Sequence, residues 1–137
     1  MKHLLIIFTL LLTSVSWSKS IDSKDLVETD GLWYEKFTNE PFTGNSTRQK
    51  QGKVKDGKKE GEWLYYSVNG KLHWKSNYKD GKLHGEWLGY DENGKLRETR
   101  IYKDGKLDGE WLWYDKNGKL YSTDIYKDGK LIEEIRP

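Results

Sequence analysis

The chain has 137 residues, a net charge of +2, 34% hydrophobic and 34% charged residues, and no cysteine. That length excludes a large α/β enzyme and leaves room for one small domain, while the lack of cysteine excludes a disulfide framework and a cysteine-held zinc site. Seven Trp and nine Tyr without a single Ala argue against a helical bundle and for short strands joined by tight turns.

Met1-Lys2-His3 gives a short basic start, residues 4–12 are apolar except for Thr9, and small residues frame a cut after Ser18. This is the layout of a secretory signal peptide, and the apolar run is roughly half of the ~20 residues a membrane anchor needs. Residues 1–18 are therefore expected to direct export, to the periplasm or beyond, and to be removed. Losing Lys2 leaves 23 Lys and Arg against 22 Asp and Glu, a charge of +1. A nearly neutral chain of interleaved signs has no electrostatic footprint for nucleic acid.

Residues 19–30 show no periodicity and are expected to be a flexible lead-in. The domain proper is expected over 31–137. Gly31-Leu32-Trp33-Tyr34-Glu35 and Pro41-Phe42-Thr43-Gly44 read as decayed pieces of a repeat. Between residues 48 and 59, Arg48, Lys50, Lys53, Lys55, Lys58 and Lys59 face the single acid Asp56. This segment reads either as a solvated irregular loop or as a contact for anionic lipid headgroups or an acidic partner.

Gly57-Lys58-Lys59-Glu60-Gly61-Glu62-Trp63-Leu64 returns at 81–88 and again at 105–112, a spacing of 24 residues both times. Full repeats run about 57–80, 81–104 and 105–128. A fourth start at Gly129-Lys130-Leu131 places Glu133 and Ile135 where Gly and Trp are due, so 129–137 reads as a terminal cap. Each repeat holds an Asn-Gly-Lys turn and a Lys-Asp-Gly-Lys turn, the strongest short hairpin signals, because both central residues tolerate positive φ. The turns cut the chain into strands of about seven to nine residues, seven of them from residue 58 onward and two or three upstream. The expected fold is all-β: an antiparallel hairpin meander forming an extended, single-layer twisted sheet. Such a layer builds no deep core, so stability is expected from aligned rings, with Gly61, Gly85 and Gly109 giving a neighbouring ring room to lie on backbone.

The motifs Gly-Lys-Leu-His-Gly-Glu-Trp (81–87), Tyr-Asp-Glu-Asn-Gly-Lys-Leu (90–96) and Ile-Tyr-Lys-Asp-Gly-Lys-Leu (101–107) resemble MORN-repeat variants. They look most like the bacterial family described as antitoxins of toxin–antitoxin systems, and Pro-Phe-Thr-Gly (41–44) is similar to that family's opening repeat. The resemblance spans about residues 31 to 135. It implies β-hairpin modules that contact other proteins and at times lipids, and its antitoxin side implies a toxin as partner.

For catalysis, His73 and His84 have no motif-linked nucleophile, and a glutamate recurring in every repeat (Glu62, Glu86, Glu110) is a row rather than one constellation. Those glutamates read as a ladder paired with cross-strand bases such as Lys75 and Arg100. Asp80-Gly81, Asp104-Gly105 and Asp128-Gly129 read as turn chemistry rather than calcium ligation. No catalytic residue, cofactor or metal is implied. The rows Trp63, Trp87, Trp111 and Tyr66, Tyr90, Tyr114 are either structural stacking or an exposed platform. The expected function is therefore a non-catalytic exported repeat protein that binds another protein, a toxin or an envelope component, through an exposed sheet face. The alternative is an envelope module that binds cell-wall glycan or anionic lipid through the aromatic rows and the basic segment.

Overall fold

The structure, a computed structural model, describes residues 19–136; the expected signal peptide lies outside the described residues. The chain forms strands β1 (Ser20–Asp22), β2 (Leu26–Thr29), β3 (Leu32–Glu35), β4 (Gly44–Thr47), β5 (Lys50–Lys55), β6 (Lys58–Tyr66) and β7 (Leu72–Lys79). It continues with β8 (Lys82–Tyr90), β9 (Leu96–Lys103), β10 (Lys106–Tyr114), β11 (Leu120–Lys127) and β12 (Lys130–Ile135). The one helical element among the described residues is a single 3-10 turn, Ser23–Asp25. Ten strands make one open sheet in the order β1-β4-β5-β6-β7-β8-β9-β10-β11-β12, and β2 and β3 pair as a separate ribbon. The all-β hairpin meander expected from the turns is the fold observed.

The two turn types do different work. Asp56, Asp80, Asp104 and Asp128 have φ near 50° and each is followed by a glycine of φ 78° to 84°, the two positive angles of a two-residue hairpin turn matched to strand twist. The Asn-Gly turns are longer loops, closed by Ser67, Asp91 or Asp115. Asp91 Oδ1 accepts from the backbone N–H of Asn93 and Lys95 at 2.8 and 3.0 Å, and Asp115 repeats this on Asn117 and Lys119. The N–H donors on Lys95 and Lys119 are the main reason both carboxyls sit below the usual carboxylate range.

The repeats are locked together at the Asp-Gly end. Gly81 N–H donates to Lys59 O, Gly105 to Leu83 O and Gly129 to Leu107 O, at 3.0, 2.8 and 2.8 Å. Residues 60, 84 and 108 add a side-chain bond across the same step. Glu60 accepts from the Asp80 N–H at 2.9 Å, the His84 ring nitrogen from Asp104 at 3.4 Å and Asp108 from Asp128 at 3.2 Å. Each turn is thus hung on the previous repeat, the nearest-neighbour coupling of a repeat protein.

Three expectations change. Residues 19–30, read as a lead-in, hold β1, the 3-10 turn and β2. β1 runs parallel to β4 through Ser20–Asn45, Ile21–Ser46 and Asp22–Thr47, a non-local pairing that leaves no short-range pattern. Residues 48–59, read as a loop, are β5, an Asp-Gly turn and the start of β6. Gly61, Gly85 and Gly109 carry no ring. Their φ values are 67°, 95° and 133°, and register jumps there, as between Leu107 and Trp111, so they make bulges that only glycine enters freely. The rings rest on other glycines: a Cβ on Gly52 would meet Trp63 ring atoms at 2.4 Å, and one on Gly89 would meet the Trp87 ring at 2.7 Å.

The terminal strand shows what the bulge glycine does. In the inner repeats Trp87 and Trp111 both stand opposite Arg100. In β12, Glu133 replaces the glycine, the bulge narrows by one residue, and Ile135 slips to face Thr123 while Glu134 faces Asp124. One step of register turns Ile135 away from the Trp row and puts an acid in its place. Arg136 bonds Ser122, Asp124 and Glu134 and closes the row with a polar cluster.

Candidate functional site

Register fixes which residues share a face. Gly52, Trp63, Ser76, Trp87, Arg100, Trp111, Asp124 and Glu134 are successive cross-strand partners from β5 to β12. Two residues along lies a second row on the same face: Lys50, Tyr65, Trp74, Gly89, Glu98, Trp113 and Ser122. The opposite face carries Leu64, Lys75, Leu88, Thr99, Leu112 and Thr123. Tyr66, Tyr90 and Tyr114 stand three positions after the tryptophans in the same strands, hence on this opposite face. The two rows read from the sequence are not one surface.

The N-terminal end of the tryptophan face is covered by the chain itself. The β2–β3 ribbon folds over it, and Trp33 meets Trp63 with ring centroids 5.5 Å apart. Leu26, Phe42 and Val54 complete the one buried cluster among the described residues, where Trp63 is only 4% exposed. The ribbon is pinned by backbone bonds, Trp33 N–H to Gly57 O at 2.7 Å and Phe42 N–H to Trp33 O at 2.8 Å. Lys59 occupies the column that holds Leu83 and Leu107. Its ammonium lies 5.0, 4.9 and 4.7 Å from the ring centroids of Trp33, Trp63 and Tyr78, within cation–π range. Burial lowers the Lys59 pKa from its ordinary value and raises that of Tyr78.

Beyond Trp63 nothing in the described chain covers the face. Tyr65 stacks on Trp74 at 3.9 Å and 15°, and Trp111 on Trp113 at 4.8 Å and 24°. Between Trp87 and Trp111 the Arg100 guanidinium is sandwiched at 4.5 and 4.2 Å. Glu98 holds it through both carboxylate oxygens, Arg100 Nε donating to Oε2 and Nη2 to Oε1, each at 3.0 Å, and accepts from Trp111 Nε1 at 2.7 Å. A planar cation, two rings and a bidentate carboxylate hold one another in fixed geometry. Trp87, Trp111 and Trp113 keep part of their rings in solvent.

The basic segment does not form one patch. Lys50 and Lys59 turn to the tryptophan face over the rings of Trp33, Tyr65, Trp63 and Tyr78. Arg48 sits in the β4–β5 turn, bonded to Asp22 at 3.0 Å. Lys53, Lys55 and Lys58 line an open cleft with Asp56, Glu60 and Asp80 near the Asp-Gly turns. The glutamate ladder is formed at one rung, Lys75–Glu62 at 2.7 Å. Arg100 belongs instead to Glu98 on the other face.

Sequence reasoning missed Trp74, Glu98, Trp113, Gly52 and Gly89, and a signal for all but Gly52 was present. Columns 65/89/113, 74/98/122 and 76/100/124 read Tyr/Gly/Trp, Trp/Glu/Ser and Ser/Arg/Asp. These columns never repeat, and all three lie on the tryptophan face. The opposite face repeats Leu64, Leu88 and Leu112, changes once at 75/99/123 (Lys/Thr/Thr), and varies fully at 73/97/121 (His/Arg/Tyr) beside the Asn-Gly loops. His73 and His84 lie in different strands, and among the described residues no group of three or more His, Asp or Glu is placed to hold a metal.

A family model described as MORN repeat variant matches residues 59–80, 83–104 and 107–128. Each match spans one two-strand unit, β6–β7, β8–β9 and β10–β11. The chain therefore carries three consecutive MORN repeat variants. No curated protein and no solved structure was found to match it.

Proposed function

We propose that this chain of MORN repeat variants is a non-catalytic exported protein whose tryptophan face, from Trp74 to Trp113, binds another protein. The observation that carries this is the collection of non-repeating residues on that face. A stack of hairpins gains from identical neighbours at every column, yet Tyr65, Trp74, Glu98, Arg100 and Trp113 differ from their repeat-mates. They stand where the chain leaves the rings uncovered. Half-exposed Trp and Arg in a fixed frame are the residue types on which protein interfaces concentrate their energy. The way Trp33 seats on Trp63 is the model for the partner: a loop or hairpin bearing an apolar or aromatic tip.

In its most specific form the partner is a toxin acting in the cell envelope and the chain is its antitoxin or immunity protein, a reading supported by the repeat resemblance and the expected export signal. A photo-crosslinking residue at position 113, compared with one at 112 on the opposite face, tests both levels in the native cell. Protein adducts from 113 and none from 112 support a protein partner, and the identity of the adduct decides the toxin. Adducts equal from both faces, or none from either, contradict it. The near-parallel pairs Tyr65–Trp74 and Trp111–Trp113 favour a second reading, a flat platform for cell-wall glycan. Pelleting with purified cell wall, lost in Trp113→Ala, is the result that would select it.

A further inference from the structure

Lys-Asp-Gly-Lys occurs four times, at 55–58, 79–82, 103–106 and 127–130. In every case the two lysines are direct cross-strand partners: Lys55–Lys58, Lys79–Lys82, Lys103–Lys106 and Lys127–Lys130. Like charges placed directly opposite destabilise a strand pair. The turn requires only the central Asp-Gly with its two positive φ angles, so nothing in the folding of these hairpins calls for lysine on both flanks.

All eight lysines are exposed, and among them only Lys127 has an ion-pair partner, Asp108 at 3.0 Å. The opposite end of the sheet treats its lysines differently. There Lys71 Nζ donates to Glu92 O at 2.7 Å and Lys95 Nζ to Lys116 O at 3.3 Å, so both tie one repeat's loop to the next. The Asp-Gly rim achieves the same tie with glycine N–H groups and leaves its ammonium groups, Lys127 excepted, out of ion pairs. The aspartates between them are short and fixed at the turn, His84 lying 3.4 Å from Asp104 and Thr43 3.4 Å from Asp56. A lysine carries its charge four methylenes out from Cα and an aspartate only one, so the ammonium groups reach farthest into solvent.

Successive rungs are two strands apart, about 9.6 Å, so the four pairs span about 29 Å along one narrow rim. We propose that this rim of paired lysines binds a linear polyanion, an anionic polysaccharide or a polyphosphate chain lying along the sheet edge. A small anion needs one pair and gives no reason for four in register. A flat lipid surface would call for charge on a face, whereas these lysines form a line. The site is separate from the tryptophan face, and either stands without the other.

The test titrates the purified full chain against fluorescent dextran sulfate and long-chain polyphosphate, with inorganic phosphate and vesicles rich in anionic lipid as comparisons. One variant changes Lys79, Lys82, Lys103 and Lys106 to Gln. A second changes Lys36, Lys71, Lys116 and Lys119 to Gln, the same loss of net charge elsewhere. The expected result is salt-dependent binding of at least one polymer, which names the class. The rim variant should weaken it tenfold or more, and the second variant should leave it within about twofold. Losing four contacts should lower the slope of log affinity against log salt by about 3, at roughly 0.7 per contact on a flexible polyanion. The rim variant should melt no lower than the parent, since it removes like-charge pairs. Failure of both polymers at low salt, equal loss in the two variants, or vesicle binding as tight and as dependent on the same lysines overturns the proposal.

Discussion

The two ends of the tryptophan face are built from the same repeat and finished differently. At the N-terminal end Trp63 is roofed by the β2–β3 ribbon and lies in the one buried cluster. Toward the C-terminus Trp87 and Trp111 occupy the same column with no roof, held by Arg100 between them and by the polar closure at Arg136. The difference teaches that the repeat alone does not bury its tryptophan. A nearest-neighbour stack aligns the rings, and a further element has to cover them. Among the described residues the chain supplies that element once.

The sharpest way to break the comparison is to truncate the rings in turn. Trp63→Ala should cost about 3–5 kcal/mol in urea unfolding, the value of a buried aromatic truncation. Trp111→Ala, with part of its ring already in solvent, should cost about 1–2 kcal/mol by the smaller area removed from contact. Equal losses would mean that both rings are equally buried.

Next in size are the glycines under the rings. Gly52→Ala drives a methyl into the Trp63 ring at 2.4 Å inside the roofed cluster and should cost about 2–3 kcal/mol as an overpacked site. Gly89→Ala meets the outer edge of Trp87 at 2.7 Å and Glu98 Cγ at 3.1 Å, on the uncovered part of the face rather than under the roof, and should cost about 1–2 kcal/mol. Arg100→Lys keeps the charge and loses the planar fork between two rings. It should cost about 1 kcal/mol in the same assay, from the lost cation–π stacking and bidentate bond together.

The smallest effect concerns Lys59, beneath the roof. Burial places its folded pKa below the unfolded value of 10.5. The unfolded chain therefore binds more protons between those two values, and stability should rise with pH across that window. Lys59→Leu, the residue its repeat-mates carry, should flatten that rise in pH-dependent melting. An unchanged pH profile would place the ammonium in water.

The strand meander was legible because its turns are chemically explicit. Asn-Gly and Asp-Gly accommodate the positive φ a tight turn needs, taken by both residues of the Asp-Gly turns and by the glycine of the Asn-Gly turns, and a 24-residue spacing repeats them without slippage. Face assignment was not legible, because it depends on bulges. Gly61, Gly85 and Gly109 look identical whether they seat a ring or kink a strand, and only the register separates the two. Gly52 and Gly89, which do seat rings, break the period and so drop out of any self-alignment. The β1 strand and the β2–β3 roof were hidden for a different reason: β1 pairs with residues about 25 positions away, in parallel, and Trp33 covers a ring 30 positions on. The basic segment 48–59 is split between faces for the same cause as the rows, since alternate lysines of one hairpin face opposite ways.

Residue-resolved hydroxyl-radical footprinting, on the purified protein and on the protein in its native cell envelope, tests the binding face most directly. Trp33 and Trp63 should be protected in both. Trp87, Trp111 and Trp113 should be oxidised in the purified protein and protected in the envelope, while Leu88 and Leu112 react alike in both. Equal oxidation of Trp111 and Trp113 in the two settings, or protection that falls on the leucine face instead, would contradict the assignment.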